Sequence, residues 1–259
     1  LIGVGLAWWS GKRVAMTDMP QMVAIYNGMG GGSAAAIGAV EMVRWSAAGQ
    51  SPGLVPAVLA VLGSLIGAVS LTGSVIAWAK LDGRMDKRYT FPGQQWFNAA
   101  VAIAAVACGV MAVQTLAMPW IVAFFALSLA LGVLMTLPIG GADMPVVISL
   151  YNAFTGLAVA FEGFVMQNAA MIIAGTVVGS AGTLLTQLMA RAMNRSLGNV
   201  LFSGFGDTGA AAAGSAVTGS MKPIEATDVG VMMAFAQKVI VVPGYGMAVA
   251  QAQHKVWEL

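Results

Sequence analysis

The stretch that decides the fold is LVPAVLAVLGSLIGAVSLTGSVIAWA, residues 54–79, which contains no charged side chain. An α-helix needs about 20 predominantly apolar residues to cross the hydrocarbon core of a bilayer, so this stretch is long enough to span a membrane. We predict that it is helical, because a spanning segment must satisfy its backbone hydrogen bonds internally and the alternation of a β-barrel strand is absent.

Similar apolar stretches follow one another along most of the chain. The sequence predicts a helix fragment at residues 1–9 and six complete spans at 20–43, 54–79, 96–115, 119–137, 145–165 and 169–190. Of the 259 residues, 59% are hydrophobic and 8% are charged, against roughly 25% charged in soluble domains. We therefore predict an all-α polytopic membrane helix bundle. The formal net charge of +2 gives no sign of a nucleic-acid partner.

The charged loops predict the orientation of the spans. If the segment before Pro20 is cytoplasmic, only Arg44 falls in an outside loop. The inside loops then hold eight basic residues, namely Lys12, Arg13, Lys80, Arg84, Lys87, Arg88, Arg191 and Arg195. Because cytoplasmic loops carry an excess of Lys and Arg, this orientation is favoured, and it places everything after Arg195 in the cytoplasm.

Two segments of the chain repeat each other. DMPQMVAIYN at 18–27 matches DMPVVISLYN at 143–152, and the two copies are followed by Glu41 and Glu162 respectively. Three predicted spans separate the copies, so both run from inside to outside as a parallel repeat. Two interpretations stay open. The motif is a good helix start, with Asp as N-cap and Pro in the first turn; alternatively, its polar groups have a function at membrane depth, where such groups are costly.

Polar side chains in or near the spans are the candidates for a functional role. They are Thr72, Ser74, Asn27, Asn152, Gln114, Gln187, Glu41 and Glu162. The two glutamates could also lie at the membrane interface. Asn194, at the end of the last span, can donate and accept hydrogen bonds in a water-linked proton path, or it can cap a helix end. The only histidine, His254, lies outside the spans, so a proton relay would need carboxylates, amides and water, or a titrating group on another subunit.

The amino-acid composition changes after residue 196. Gly, Ala and Ser dominate 197–220, which is typical of a flexible linker, and a short helix is predicted at 227–237. VIVV at 239–242 is typical of a buried strand, and it leads into a glycine turn and an Ala-rich helix start. This order predicts the truncated start of a Rossmann-like α/β domain. The predicted divisions are a transmembrane domain at 1–196, a linker with a short helix at 197–236 and the start of a nucleotide-binding domain at 237–259.

The glycine turn is the candidate cofactor site. Gly244 and Gly246 would let the backbone approach a pyrophosphate, which the following helix N-terminus would stabilise. The fit to GxGxxG is imperfect because Val249 takes the place of the third glycine, and an ordinary strand–helix turn is the alternative. The candidate cofactor-binding residues are Gly244, Tyr245, Gly246, Met247, Ala248, Val249 and Ala250. No cysteine or histidine cluster has the spacing of a metal site.

Four segments resemble the beta subunit of proton-translocating NAD(P) transhydrogenases. They are LTGSVIAWAKL (71–81), GGADMPVVISLYN (140–152), RAMNRS (191–196) and VPGYGMAVAQAQ (242–253). The resemblance implies an enzyme that transfers hydride from NADH to NADP⁺ and couples the transfer to inward proton flow. It further implies NADP(H) on the C-terminal domain, NAD(H) on an alpha-type partner subunit that also supplies membrane helices, and a dimeric complex in the cell inner membrane with the nucleotide domain in the cytoplasm.

The resemblance also bears on single residues. Asn194 matches the family's proton-pathway asparagine, and Glu162 and Glu41 are the other pathway candidates. Some family members carry a histidine in the span that begins near Leu54, where this sequence has Pro56, so a compensating histidine is expected in the partner subunit. Since the first spans and most of the NADP(H) domain are expected to lie outside this chain, we expect no hydride transfer from it alone.

Two other functions fit parts of the sequence. A secondary transporter with a cytoplasmic nucleotide-sensing domain would account for the repeat and the embedded carboxylates. A membrane anchor for a soluble dehydrogenase would account for the hydrophobic spans, and it would tolerate loss of their polar groups.

Overall fold

The structure, a computed structural model, describes residues 2–50, 52–85, 87, 89–193, 196, 198, 224–242, 247 and 253–258. The chain divides into two compact units, Leu1–Gly206 and Asp207–Leu259. The helices of the first unit are α1 (Ile2–Arg13), α2 (Met19–Ala48), α3 (Leu54–Leu81), α4 (Gln94–Thr115), α5 (Met118–Thr136), α6 (Met144–Val165) and α7 (Ala169–Ala192). All six stretches predicted as spans are helical, which confirms the helix bundle.

Five of the described helices, α3 to α7, are long and apolar enough to cross a membrane, judged by length and composition. The sequence predicts six spans, and α2 is the one that falls short. It is 30 residues long, but its middle is rich in glycine and serine and it carries Asn27, Glu41 and Arg44. These residues lower its hydropathy, although the helix itself forms.

Helix α3 lies at the centre of the first unit. It packs against α2, α5 and α6, while α7 packs along α6 and α4 along α5. About half of the most apolar stretch of α3 and of α6 is buried, whereas α4, α5 and α7 turn most of their residues outward. The interface between α2, α3 and α6 is therefore the part of the described bundle that is shielded most from the surroundings.

Small residues bring α2 and α3 into backbone contact. A Cβ atom added at Gly67 would lie 2.6 Å from the carbonyl oxygen of Gly31 and 2.9 Å from the amide nitrogen of Ala35. Such close approach is typical of membrane helices, in which packing of small residues replaces the hydrophobic effect as the force that holds helices together. A residue larger than glycine has no room at position 67.

The second unit contains two described helices, α8 (Ala226–Ala234) and α9 (Gln253–Glu258). Helix α8 agrees with the short helix predicted at 227–237. The strand predicted at 239–242 is wrong, since these residues have no regular secondary structure. A strand is held by hydrogen bonds to a neighbouring strand, and the described residues of this unit offer none to pair with. The turn that would follow lies outside the described residues except for Met247.

Candidate functional site

The two repeated segments form the same kind of helix start. Each begins with one turn of 3₁₀-helix, Met16–Asp18 in one copy and Gly141–Asp143 in the other, and the α-helix follows with Pro in its first turn. The helix start and the position of Pro are therefore confirmed, whereas the side chains of Asp18 and Asp143, which stand at the N-cap positions, form no capping hydrogen bond. The two copies differ in their surroundings, because Asp18 is exposed and Asp143 is buried.

The ends of the two repeated segments both lie against α3. Asn27 on α2 is 8% exposed, and Tyr151 on α6 is 3% exposed. Their counterparts in the other copy, Asn152 and Tyr26, are less buried. The repeat is thus used asymmetrically, with the amide of one copy and the phenol of the other turned into the bundle.

Asn27 belongs to a group of hydrogen-bonded side chains that we call the central polar cluster, formed by Asn27, Ser70, Ser74 and Thr155. Asn27 Nδ2 donates to Ser74 Oγ at 2.9 Å and to Ser70 Oγ at 3.3 Å. Ser70 Oγ lies 2.6 Å from Thr155 Oγ1 and 3.1 Å from the carbonyl oxygen of Tyr151. The cluster therefore joins α2, α3 and α6 through buried polar contacts.

The cluster has both a free acceptor and a reversible donor. Asn27 Oδ1 is buried and has no hydrogen-bond partner in the described part of the chain. Ser70 has one hydroxyl proton but two acceptors within reach, Thr155 Oγ1 and the Tyr151 carbonyl. Since a hydroxyl rotates to suit its partners, the Ser70–Thr155 bond can run in either direction. Reversible hydroxyl donors of this kind are what a proton relay requires.

Glu162 lies in a second buried site, close to the C-terminal end of α6. Its side chain is 0% exposed, and Ser64 Oγ on α3 donates to its Oε1 at 3.3 Å. Gly38 and Gly63 border the same oxygen, since a Cβ atom added at either one would lie 2.6 Å from it. Oε2 has no hydrogen-bond partner among the described residues. A buried carboxyl group with so few partners is costly, which makes Glu162 a candidate functional group.

Glu41, the other glutamate of the repeat, lies in different surroundings. It forms an ion pair with Arg44 at 2.8 Å, and the side chains of the two residues are 16% and 71% exposed. Glu41 lies 23 positions after Asp18, whereas Glu162 lies 19 positions after Asp143, so the two glutamates are not equivalent in the repeat. Glu41 is nevertheless one helical turn from Gly38, which borders Glu162.

A comparison with known proteins identifies the family. The family model for the NAD(P) transhydrogenase beta subunit matches residues 1–259. The chain belongs to the NAD(P) transhydrogenase beta subunit family. Two curated relatives named NAD(P) transhydrogenase subunit beta, both from Rhodospirillum rubrum and one of them from a designated strain, are 43% identical to it over 265 aligned positions. The alignments cover 100% of the chain and 57% of each relative, so the chain spans little more than half the length of these beta subunits.

In this member of the beta subunit family, Lys80 is a buried residue, although its charge predicts a position in a loop. It was assigned to an inside loop, but it lies in the last turn of α3 and is 7% exposed. Its Nζ donates to the carbonyl oxygens of Thr136, Leu137 and Ile139 at 3.2, 2.5 and 2.5 Å. A cation stabilises the carbonyl end of a helix, so Lys80 ties the end of α3 to the end of α5.

Several predicted site residues lie outside the described residues. These are Asn194, Gly244, Tyr245, Gly246, Ala248, Val249 and Ala250. Met247 is described but stands alone between them. The described residues contain no group of histidine, cysteine, aspartate or glutamate side chains that could hold a metal ion. The residues that the structure brings together are thus Glu162 with Ser64, and Asn27 with Ser70, Ser74 and Thr155.

Proposed function

We propose that the chain is the membrane-embedded, proton-conducting part of an NAD(P) transhydrogenase, coupling inward proton movement to hydride transfer from NADH to NADP⁺. The family match supplies the chemistry of the enzyme. The observation that carries the proton-conducting role is the fully buried Glu162 carboxyl, which can bind and release a proton within the bundle.

The proton path in this proposal has two stations between α2, α3 and α6. The Glu162 carboxyl group, which Ser64 holds in place, forms one, and the central polar cluster forms the other. Ser64 and Ser70 are six positions apart on α3, which corresponds to about 9 Å along a helix. The partly exposed Glu41 would connect the Glu162 station to water on its side of the membrane. Asn194 is proposed as the pathway residue at the end nearest the linker.

The NADP(H) domain remains part of the proposal rather than of the described structure. We place its start at 237–259, joined to the transmembrane domain at 1–196 by the linker and helix at 197–236. The candidate pyrophosphate site is the turn from Gly244 to Ala250, in which only Met247 is described. The described residues do not by themselves form a dinucleotide site.

The partner in this proposal is an alpha-type subunit that binds NAD(H) and supplies further membrane helices. Large apolar side chains on the outer face of α7, among them Ile173, Val177, Leu184 and Leu188, are exposed in the isolated chain. In a membrane these side chains would face lipid, partner helices or, in a dimeric complex, a second copy. The proposed location is the cell inner membrane.

The function is tested by reconstituting the full-length beta subunit with its partner subunits in sealed vesicles. Hydride transfer between the two nucleotide pools is expected to move protons across the vesicle membrane, and a pH-sensitive dye would report the movement. A protonophore serves as the control, since it should abolish the dye signal and leave hydride transfer running. Hydride transfer without any protonophore-sensitive dye signal would contradict the proposal.

The proposed orientation makes a second prediction. A membrane-impermeant reagent applied from the outside is expected to label a cysteine placed at Ser51, near Arg44, and to miss one placed at Lys87. Cys108 would first be replaced by serine so that the chain has no other thiol. Intact cells are treated with the reagent before lysis, and mass spectrometry of the purified protein then measures the labelled fraction of each cysteine. Labelling at position 87 with protection at position 51 would show that the orientation is inverted.

A further inference from the structure

A cavity of about 310 Å³ is lined by residues of α4, α5 and α6 and by Ile139. Its walls are mostly apolar and include Ala99, Leu131, Met135 and Phe154. The volume is about twice the roughly 150 Å³ of an apolar protein cavity that binds benzene. The cavity can therefore hold a segment of a hydrocarbon chain. Tyr151, whose carbonyl oxygen accepts from Ser70, is in its lining, but none of the side chains of the two stations is.

The cavity lies at the level where a membrane surface is expected. Its α4 residues come from the first turns of that helix, and its α5 side comes from the end of the helix. The aromatic residues around the start of α4 are exposed, namely Tyr89, Phe91, Trp96 and Phe97. Aromatic rings of this kind collect at the boundary between headgroups and acyl chains. The mouth of the cavity thus lies near the headgroups of one leaflet, with its apolar part below them.

A basic residue lies close in sequence to the segment that borders the cavity. The amide nitrogen of Tyr89 donates to the carbonyl oxygen of Leu137 at 3.5 Å, and Ile139, two residues further on, lines the cavity. Lys87 is exposed and precedes Tyr89 by two residues, a separation of at most about 7 Å along the backbone. Lys87 therefore lies within a few residues of the segment that borders the cavity, and its side chain is long and flexible.

Two amides in the lining supply polar contacts. Gln95 is exposed at the edge of the cavity, and its amide can donate to a phosphate or ester oxygen. Asn98 Nδ2 donates to the carbonyl oxygen of Leu134 at 3.4 Å, while its buried Oδ1 has no partner among the described residues. A water molecule that enters with the glycerol backbone of a lipid would satisfy this oxygen.

We propose that the cavity binds one acyl chain of an anionic phospholipid, with the phosphate at Lys87 and Gln95. Inside a bilayer the acyl chain gains little by moving from lipid into an apolar cavity, because both environments are apolar. The headgroup therefore decides which lipid binds. A zwitterionic lipid would bring its own cation close to Lys87, whereas an anionic headgroup would not. The inference concerns lipid binding and does not depend on the proposed proton conduction.

The test uses the full-length beta subunit in vesicles that contain a phosphatidylglycerol with a photoreactive group on one acyl chain. Illumination is expected to cross-link the lipid to peptides of α4 and α6. Ala99→Phe fills the cavity and is expected to abolish the cross-link. Ala107→Phe, at an exposed position of the same helix outside the cavity lining, is the matched control and is expected to retain it.

The headgroup preference is tested in the same vesicles. Excess unlabelled phosphatidylglycerol should compete with the probe, whereas phosphatidylcholine should not. Lys87→Gln is expected to reduce the preference for phosphatidylglycerol about fivefold, since one basic residue near an anionic surface contributes about 1 kcal/mol. Equal competition by the two lipids would overturn the proposal. So would loss of the cross-link to α4 and α6 once the partner subunits are added to the vesicles, because a partner helix would then fill the cavity. The competition arm needs no substitution, so it remains decisive if Ala99→Phe fails to fold.

Discussion

Glu162→Gln is expected to abolish proton-coupled turnover in the assembled enzyme while the bundle still folds. The substitution keeps the size of the side chain, and Ser64 Oγ can donate to the amide oxygen as it does to Oε1. What is lost is the ability to bind and release a proton. A positioned acid–base group contributes about 10²- to 10⁴-fold to a rate, so we expect the coupled rate to fall by at least about 100-fold.

The measurement is dye-reported proton movement in vesicles, together with thermal unfolding of the purified variant. Ser64→Ala is the matched control, because it removes the hydrogen bond and leaves the carboxyl group. A hydrogen bond of this kind contributes about 0.5–1.5 kcal/mol, so this variant should lose some stability but keep proton movement. If Glu162→Gln pumps at more than half the normal rate, Glu162 is not a station of the path.

Gly67→Val is expected to have the largest effect on stability. A Cβ atom at this position would meet backbone atoms of Gly31 and Ala35 at 2.6 and 2.9 Å, and backbone cannot move aside without separating α2 from α3. Overpacking a well-packed interior costs typically 1–3 kcal/mol and occasionally more. We expect a cost at the upper end of this range or above it, because the contact is between two helix backbones.

Thermal unfolding in detergent, with the recovered yield of monodisperse protein, measures this effect. Gly5→Val is the control, since an added Cβ at Gly5 has nothing within 4 Å and the residue also lies in a helix. The control should unfold at nearly the normal temperature. An unchanged unfolding temperature for Gly67→Val would mean that α2 and α3 do not pack as closely as described.

Much of the fold could be predicted from the sequence, because the relevant signals are local. Long uncharged stretches set the helices, and the Asp-Met-Pro motif predicted where α2 and α6 begin. The predicted strand at 239–242 failed for the opposite reason. A run of β-branched residues favours an extended chain, but a strand also needs a neighbour to pair with, and local sequence does not supply one.

The candidate site was predicted only in part. Glu162 and Asn27 could be picked out because polar groups in apolar helices are rare. Their partners could not, since Ser64 and Gly38 come from other helices and become neighbours of Glu162 only through packing. Lys80 was assigned to a loop on charge alone, and its burial against the end of α5 depends on where another helix stops.

The repeat also shows where prediction from the sequence ends. Sequence similarity suggested that Glu41 and Glu162 are equivalent, yet one is ion-paired near the surface and the other is buried between three helices. The spacing from the shared motif, 23 positions against 19, was the signal that could have separated them. Four positions are about one helical turn, so both glutamates lie on a similar face of their helices but at different depths.

The most direct test of the account is the response of hydride transfer to an imposed proton gradient. Full-length beta subunit and its partners would be reconstituted in sealed vesicles, and the rate of NADPH formation from NADH measured with and without a pH difference across the membrane. We expect a faster rate when the gradient drives protons toward the side of the membrane that carries the nucleotide domain. The Glu162→Gln enzyme should show no such acceleration. A rate that is the same with and without the gradient would contradict the central claim that this bundle couples proton movement to the redox reaction.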